Sequence, residues 1–148
     1  MTTALAVTLH ELVHEMDSLA DTVLQQRLGI TVGLFAFLTP LAQGTLDLTQ
    51  LAKALNLTRA ATSKRVPSLE KAGWVTTSSD PSHKRRVLVG LTPRAAATVA
   101  EGTAMLSAAF DLLATTTPNV DGEALNADLQ AILATLRAVN LSDYGFSE

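Results

Sequence analysis

The chain contains no cysteine, which excludes a disulfide-stapled scaffold and thiol-based redox sensing. No apolar run approaches the ~20 residues that cross a bilayer, and the N-terminus lacks the basic start of a secretory signal. A cytoplasmic location with no membrane partner is therefore the expectation. Signatures of catalysis are equally scarce: no Ser-His-Asp set, no paired carboxylates in an apolar context, no glycine-rich phosphate loop and no Cys/His cluster, so neither an enzyme nor a cofactor is expected. What the chain does have is 148 residues, 47% of them hydrophobic, enough for one globular, largely helical domain with a substantial core.

The net charge of −3 hides a strong polarity. Between Lys53 and Arg94 nine cations stand against Glu70 and Asp80, a local charge of +7 that leaves −10 for the remainder. A local positive field supplies affinity for phosphates, while acidic flanks keep the rest of the molecule off a duplex and orient it.

That basic block lies within Leu46–Arg94, which reads as helix, turn, helix, strand, basic loop, strand and the start of another helix. The first helix is expected to start at Thr49, its hydroxyl capping a free backbone N–H, and to bury Leu51, Ala52 and Leu55. Asn56 tolerates a left-handed backbone and permits a tight turn. Thr58 is the next N-cap, opening a helix from about Arg59 to Ala72 that Gly73 stops. At ~100° per residue, Thr62, Val66 and Leu69 point inward and Ala60, Lys64, Pro67, Ser68 and Lys71 outward, with Arg59, Ser63 and Arg65 on the flanks. Small side chains let such a helix approach base edges, Ala touches a thymine methyl, and Lys or Arg reaches guanine or phosphate. Trp74–Ser78 and Val87–Leu91 have strand composition. Between them Asp80-Pro81 initiates a turn, and Lys84, Arg85 and Arg86 are expected at a hairpin tip suited to a minor groove. The expected DNA contacts are thus Thr49, Thr58, Arg59, Ala60, Ser63, Lys64, Arg65, Ser68, Lys84, Arg85 and Arg86. The fold class is mainly α with a small β-hairpin wing: a winged helix-turn-helix.

LTQLAKALNLTRAATSKRVPSLEKAGWV, followed by DPSHKRRVLVGLTPR, resembles the winged-helix core of the MarR (multiple antibiotic resistance regulator) transcription factors. Thr58-Arg59, Leu69-Glu70, Gly73, Asp80-Pro81, Lys84-Arg85 and Leu91-Thr92 occupy the places of that family's pattern, and the block covers about a third of the chain. Two residues depart from it. His83 stands where the wing usually carries an acid, which puts a wing-stiffening ion pair in question. Pro67 sits inside the recognition helix, where it removes the bond to the Ser63 carbonyl and is expected to bend the C-terminal half.

Outside this block, Leu5, Leu9, Leu12, Met16, Leu19 and Val23 recur at spacings of four and three, giving an amphipathic helix to about Arg27. It serves either dimerisation, which two-fold DNA readers commonly use and the resemblance implies, or packing on its own domain. His10-Glu11-Leu12-Val13-His14 matches H-E-x-x-H literally, but a third ligand and a pocket-forming scaffold are missing, so no metal is assigned. A second helix, roughly Val32–Ala42, is apolar nearly all round and so buried, with Pro40 bending or ending it and Gly44 closing it. The resemblance places a cavity for small lipophilic or aromatic effectors beside it; Met16, Phe35 and Leu38 are the candidate lining, with ordinary core packing as the alternative. Thr92-Pro93 starts a long helix to about Thr116, Thr115–Asn119 is a break, and Asp121 caps a last helix with an apolar seam at Leu125, Leu129, Ile132, Leu133, Leu136 and Val139.

The chain is therefore expected to form a single MarR-like domain over 1–148. Dimerisation helices take 1–28 and 119–148, the winged helix-turn-helix 45–92, and a connecting long helix 93–117. Its expected function is a sequence-specific, double-stranded-DNA-binding transcriptional regulator, an effector-responsive repressor acting as a homodimer on a near-palindromic operator. The alternatives are a winged-helix protein-interaction module and a metal-responsive regulator using His10 and His14.

Overall fold

The computed structural model describes residues 2–139. Its elements are α1 (Thr2–Leu28), α2 (Val32–Leu38), a 3-10 turn (Thr39–Gln43), β1 (Leu46–Asp47), α3 (Leu48–Leu55), α4 (Arg59–Lys71), β2 (Val75–Asp80), β3 (His83–Leu91), α5 (Pro93–Thr116) and α6 (Gly122–Ala138). This is the mainly helical, hairpin-bearing architecture that the pattern of caps and apolar spacings predicts. The chain divides into two compact units, Met1–Leu106 and Ser107–Glu148, the boundary falling inside α5.

In the first unit, α1 turns Ala20 and Leu24 into the interior, while Leu5, Leu12 and Leu19 of its apolar stripe remain exposed and Leu9, Met16 and Val23 are half-buried. The entry to α2 is fixed twice. The Thr31 hydroxyl accepts the Leu34 N–H at 3.1 Å, and the Asp21 carboxylate of α1 accepts the Val32 N–H at 2.8 Å. The helix expected over Val32–Ala42 is divided: Pro40 lacks the N–H that would bond the Ala36 carbonyl, so the α-helical ladder ends at Leu38 and the chain continues as the 3-10 turn. Gly44 closes that turn at φ +139°, a conformation favouring glycine.

The core joins Phe37, Leu38 and Leu41 of this segment to Leu51, Val66, Val75, Val89 and Val99. Burying each such side chain contributes about 1.5–3 kcal/mol, so the helix-turn-helix and the sheet are held by one shared apolar cluster. Alpha-5 comes close to α2 at Gly102, where an added Cβ would lie 2.6 Å from the Phe35 ring.

The sheet has the order β1-β3-β2 and is antiparallel throughout. β1, not anticipated from composition, pairs Leu46 with Val89 and Asp47 with Leu88. The wing strands run longer than expected. β3 begins at His83 rather than Val87, and Asp80 pairs with His83, leaving Pro81-Ser82 as the tip. Lys84, Arg85 and Arg86 accordingly stand on a strand and not on the loop. These positions are exposed on both faces, so no apolar alternation marked them, and the backbone ladder extends regardless of side-chain polarity.

In the second unit Asn119 adopts φ +61° at the break, and the Asp121 carboxylate accepts the Glu123 and Ala124 N–H groups at 3.0 and 3.1 Å, capping α6. None of the residues of α6 is buried; Leu125, Ile132, Leu133 and Leu136 are all exposed. The expected dimerisation segment 119–148 extends past this helix, and its residues 140–148 lie outside the described ones.

Candidate nucleic-acid interface

The first helix of the candidate site starts earlier than Thr49. Asp47 is its N-cap: Oδ1 accepts the Gln50 N–H at 2.8 Å, while Gln50 Oε1 accepts the Asp47 N–H at 3.0 Å. The reciprocal pair satisfies two backbone donors, which a lone Thr49 hydroxyl cannot do, and Thr49 is left exposed in the first turn. Asn56 takes the left-handed conformation expected of it, φ 53° and ψ 41°, and the Leu57 N–H returns to the Ala52 carbonyl at 2.9 Å. The turn into α4 is thus short and closed.

Alpha-4 begins at Thr58, whose Oγ1 accepts the Ala61 N–H at 3.1 Å. Its inner face is anchored by Thr62, fully buried, whose hydroxyl donates to the Thr58 carbonyl at 3.0 Å, and by Val66. The helix is continuous through Pro67, which sits on the exposed face. Arg59, Ala60, Ser63, Lys64, Ser68 and Lys71 are exposed, so the outward face holds only small or cationic side chains. Arg65 is exposed too, but its guanidinium lies 4.6 Å from the centroid of the buried Phe37 ring, a cation–π contact that ties it to the core. The helix ends in paired bonds, Trp74 N–H to the Leu69 carbonyl at 2.9 Å and Gly73 N–H to that of Glu70 at 3.0 Å, with Gly73 at φ +77°.

Two polar ties join this helix-turn-helix to the wing. Glu70 Oε1 accepts the N–H and the hydroxyl of Thr77 at 3.0 and 2.7 Å, linking α4 to β2. Arg86 Nε reaches the buried Asp47 Oδ2 at 2.9 Å, and Arg86 Nη1 lies 3.6 Å from Asp80. The wing therefore has its ion pair although His83 replaces the usual acid. The Asp80 carboxyl is held below its ordinary pKa, chiefly by the hydroxyl and amide of Ser82, which donate to Oδ1 at 2.7 and 2.9 Å, with Arg86 adding a smaller electrostatic contribution.

These ties shape a cleft of about 460 Å³ where α3, α4 and β3 meet, lined among others by Thr49, Gln50, Arg59, His83, Arg85 and Arg86. The structure thus brings Thr49, Arg59, Arg85 and Arg86 together, residues spread over 37 positions of the chain. Thr58, Ala60, Ser63, Lys64 and Ser68 follow along α4, and Lys84 precedes Arg85 on the exposed wing. Asp47, Gln50 and the Glu70–Thr77 link were not singled out from sequence, although Asp-x-x-Gln ahead of an apolar run carries the capping signal.

The other candidates are more scattered. Leu38 is fully buried in the main core and Phe35 packs against that core, whereas Met16 is half-buried on α1 and belongs to neither group. His10 and His14 are exposed on α1, and among the described residues no group of three potential metal ligands occurs. Among the described residues no helix is long and apolar enough to cross a membrane.

No curated protein matches the chain in sequence. Residues 30–87 match the model of the MarR family. Among solved structures the chain is similar to MepR of Staphylococcus aureus, crystallised as a DNA complex, with 26% identity, a TM-score of 0.72 and coverage of 88% of this chain and 96% of that one. It is also similar to the transcriptional regulator BldR of Sulfolobus solfataricus, at 21% identity, TM-score 0.74 and coverage of 90% and 95%. A third is the MarR family transcriptional regulator Sco3205 of Streptomyces coelicolor, solved with DNA, at 22% identity, TM-score 0.74 and coverage of 93% and 87%. The matched region takes in α3, α4 and the wing cations, and the likeness in fold continues beyond it along most of the chain: residues 30–87 carry the MarR family pattern within a fold similar to that of MepR.

Proposed function

We propose that the chain is a sequence-specific DNA-binding transcriptional regulator that works as a homodimer, each copy laying α4 in a major groove and its wing along the adjacent minor groove. The observation that carries this reading is the outward face of α4, small and cationic from Arg59 to Lys71, set beside Lys84 and Arg85 on a wing that Arg86 ties to Asp47. A protein-docking face would present large apolar groups there, and this one presents Ala60 and Pro67 at most. The MepR and Sco3205 structures with DNA support the same assignment.

Homodimer formation is supported by apolar surface left uncovered in a single chain: Leu5, Leu12 and Leu19 on α1, and Leu125, Ile132 and Leu136 on α6. Covering such groups is the main driving force of stable self-association, and two-fold symmetry matches a near-palindromic operator. Repression is then steric. A lipophilic effector would act by favouring a separation of the two α4 helices that no longer fits the duplex. It would enter beside Met16 and Phe35, which keep part of their surface, and reach Leu38 only after the core repacks.

Selecting random duplexes on the purified protein tests the reading directly. A half-site repeated with two-fold symmetry at a spacing of about 10 base pairs is the expected result. No enrichment, with no binding to any duplex even in dilute buffer, defeats it. Sedimentation showing only monomer at micromolar concentration removes the dimer.

A further inference from the structure

Among the nine cations of the basic block, Arg94 has a setting that phosphate binding does not explain. It is the second residue of α5, where a positive charge opposes the helix dipole and the first turn carries no acid to offset it. Its guanidinium lies 3.9 Å from the centroid of the Trp74 ring, inside the range of a cation–π stack. Trp74 follows the end of α4 after Ala72 and Gly73. Its N–H closes the helix on the Leu69 carbonyl, and the ring packs against the core.

The neighbouring Thr92 works at the same junction. Its hydroxyl donates to the Gly73 carbonyl at 2.8 Å and accepts the Ala95 N–H at 3.2 Å, while its own N–H donates to the Trp74 carbonyl at 3.1 Å. One residue thus caps the start of α5 and fastens the end of α4. Gly73 completes the joint by taking φ +77°, a left-handed backbone that other residues rarely adopt, and the Arg94 guanidinium lies beside it, in ordinary van der Waals range of where a Cβ would stand.

We propose that Arg94 is a positioning residue for DNA recognition: stacked on Trp74 over the Thr92–Gly73 bond, it locks the end of the reading helix to the start of α5 and so sets the angle at which α4 meets the bases. This rests on the reading of α4 as the groove-binding helix. The junction is local, built from these hydrogen bonds and the stack, and through it a displacement of the first turn of α5 is carried into the end of α4. Arg94 acts through Trp74, not by touching the duplex.

The test uses the full-length protein and the only tryptophan in the sequence as its own reporter. In Arg94→Ala, Trp74 emission shifts to the red and acrylamide quenching rises, with helical circular dichroism unchanged; Arg94→Lys restores part of both. Affinity for the selected duplex falls about 3–10-fold relative to a random one, while the slope of log K against log salt keeps its parental value. A phosphate-contacting Arg94 would instead lower that slope by about 0.9 per copy and weaken both duplexes equally. That pattern overturns the proposal, as does unchanged Trp74 emission and quenching. If the parental protein binds no duplex, the DNA reading has failed, and the fluorescence of the Arg94 variants still decides whether the lock exists.

Discussion

Arg85 and Arg86 are adjacent cations on one wing strand, yet among the described residues only Arg86 has ion-pair partners, and a paired substitution tests whether their roles differ. Arg86 holds Asp47, whose side chain is 7% exposed, and removing it strands a buried carboxylate. Breaking a fully buried pair costs about 3–5 kcal/mol. Arg86 itself is 49% exposed and Asp47 keeps the Gln50 N–H at Oδ1, so solvent screening and the surviving bond reduce the expected loss to about 1–2 kcal/mol. For a chain of this size that lowers Tm by about 3–6 °C. Arg85 has no ion-pair partner among the described residues, and Arg85→Ala should leave Tm within the range of an ordinary surface change, about 0.5 kcal/mol. In DNA binding the order reverses. Under the proposed function, Arg85→Ala should remove one phosphate contact per copy and reduce the salt slope by about 1.8 for a dimer, weakening all sequences alike. Thermal unfolding and binding isotherms at four or five salt concentrations measure both quantities. A double-mutant cycle with Asp47→Asn should show coupling to Arg86 and none to Arg85. Equal Tm shifts for the two alanine variants, or a steeper loss of salt slope in Arg86→Ala than in Arg85→Ala, would refute the division of labour.

Lys64→Ala, on the outward face of α4, should cost about 1–3 kcal/mol of binding and relax base preference at one position of each half-site, read by repeating the duplex selection on the variant. Gly102→Ala forces a methyl to within 2.6 Å of Phe35 and should destabilise the first unit by about 1–3 kcal/mol in denaturant titration, with no change in salt slope for the folded fraction. The Asp80 pKa is lowered on folding, so its ionised form contributes stability above the usual carboxylate range, and that contribution fades as pH falls through the depressed folded value. Asp80→Asn should therefore be less stable than the parent at pH 7, and the two melting curves should converge as acidification carries the pH below the usual carboxylate range and through the depressed folded value.

The helix starts were legible because their chemistry is local. Thr58, Thr92 and Asp121 each cap the helix expected of them, and Asn56 and Gly73 take the left-handed backbone that ends one. Alpha-3 shows the limit of that reasoning. Asp47 and Thr49 both have capping side chains, and only the answering bond from Gln50 tells them apart. β1 was illegible for a different reason: two residues make no periodicity, and their strand exists only because Val89 and Leu88 come alongside from 43 and 41 positions away. Charge counting marked the basic block but could not rank its members. Nothing in the order of residues says that Arg65 will rest on Phe37, Arg86 on Asp47 and Arg94 on Trp74, since each partner is supplied by tertiary contact.

Alpha-6 is a 17-residue helix with no buried side chain. Isolated helices near that length are marginal in water, so under the proposed pairing its persistence would depend on how many fellow molecules are within reach. Under the proposed pairing, scarcity would loosen the C-terminal unit and expose it to proteases, while abundance would shelter it. Turnover of the regulator would then track its own copy number without any dedicated degradation signal.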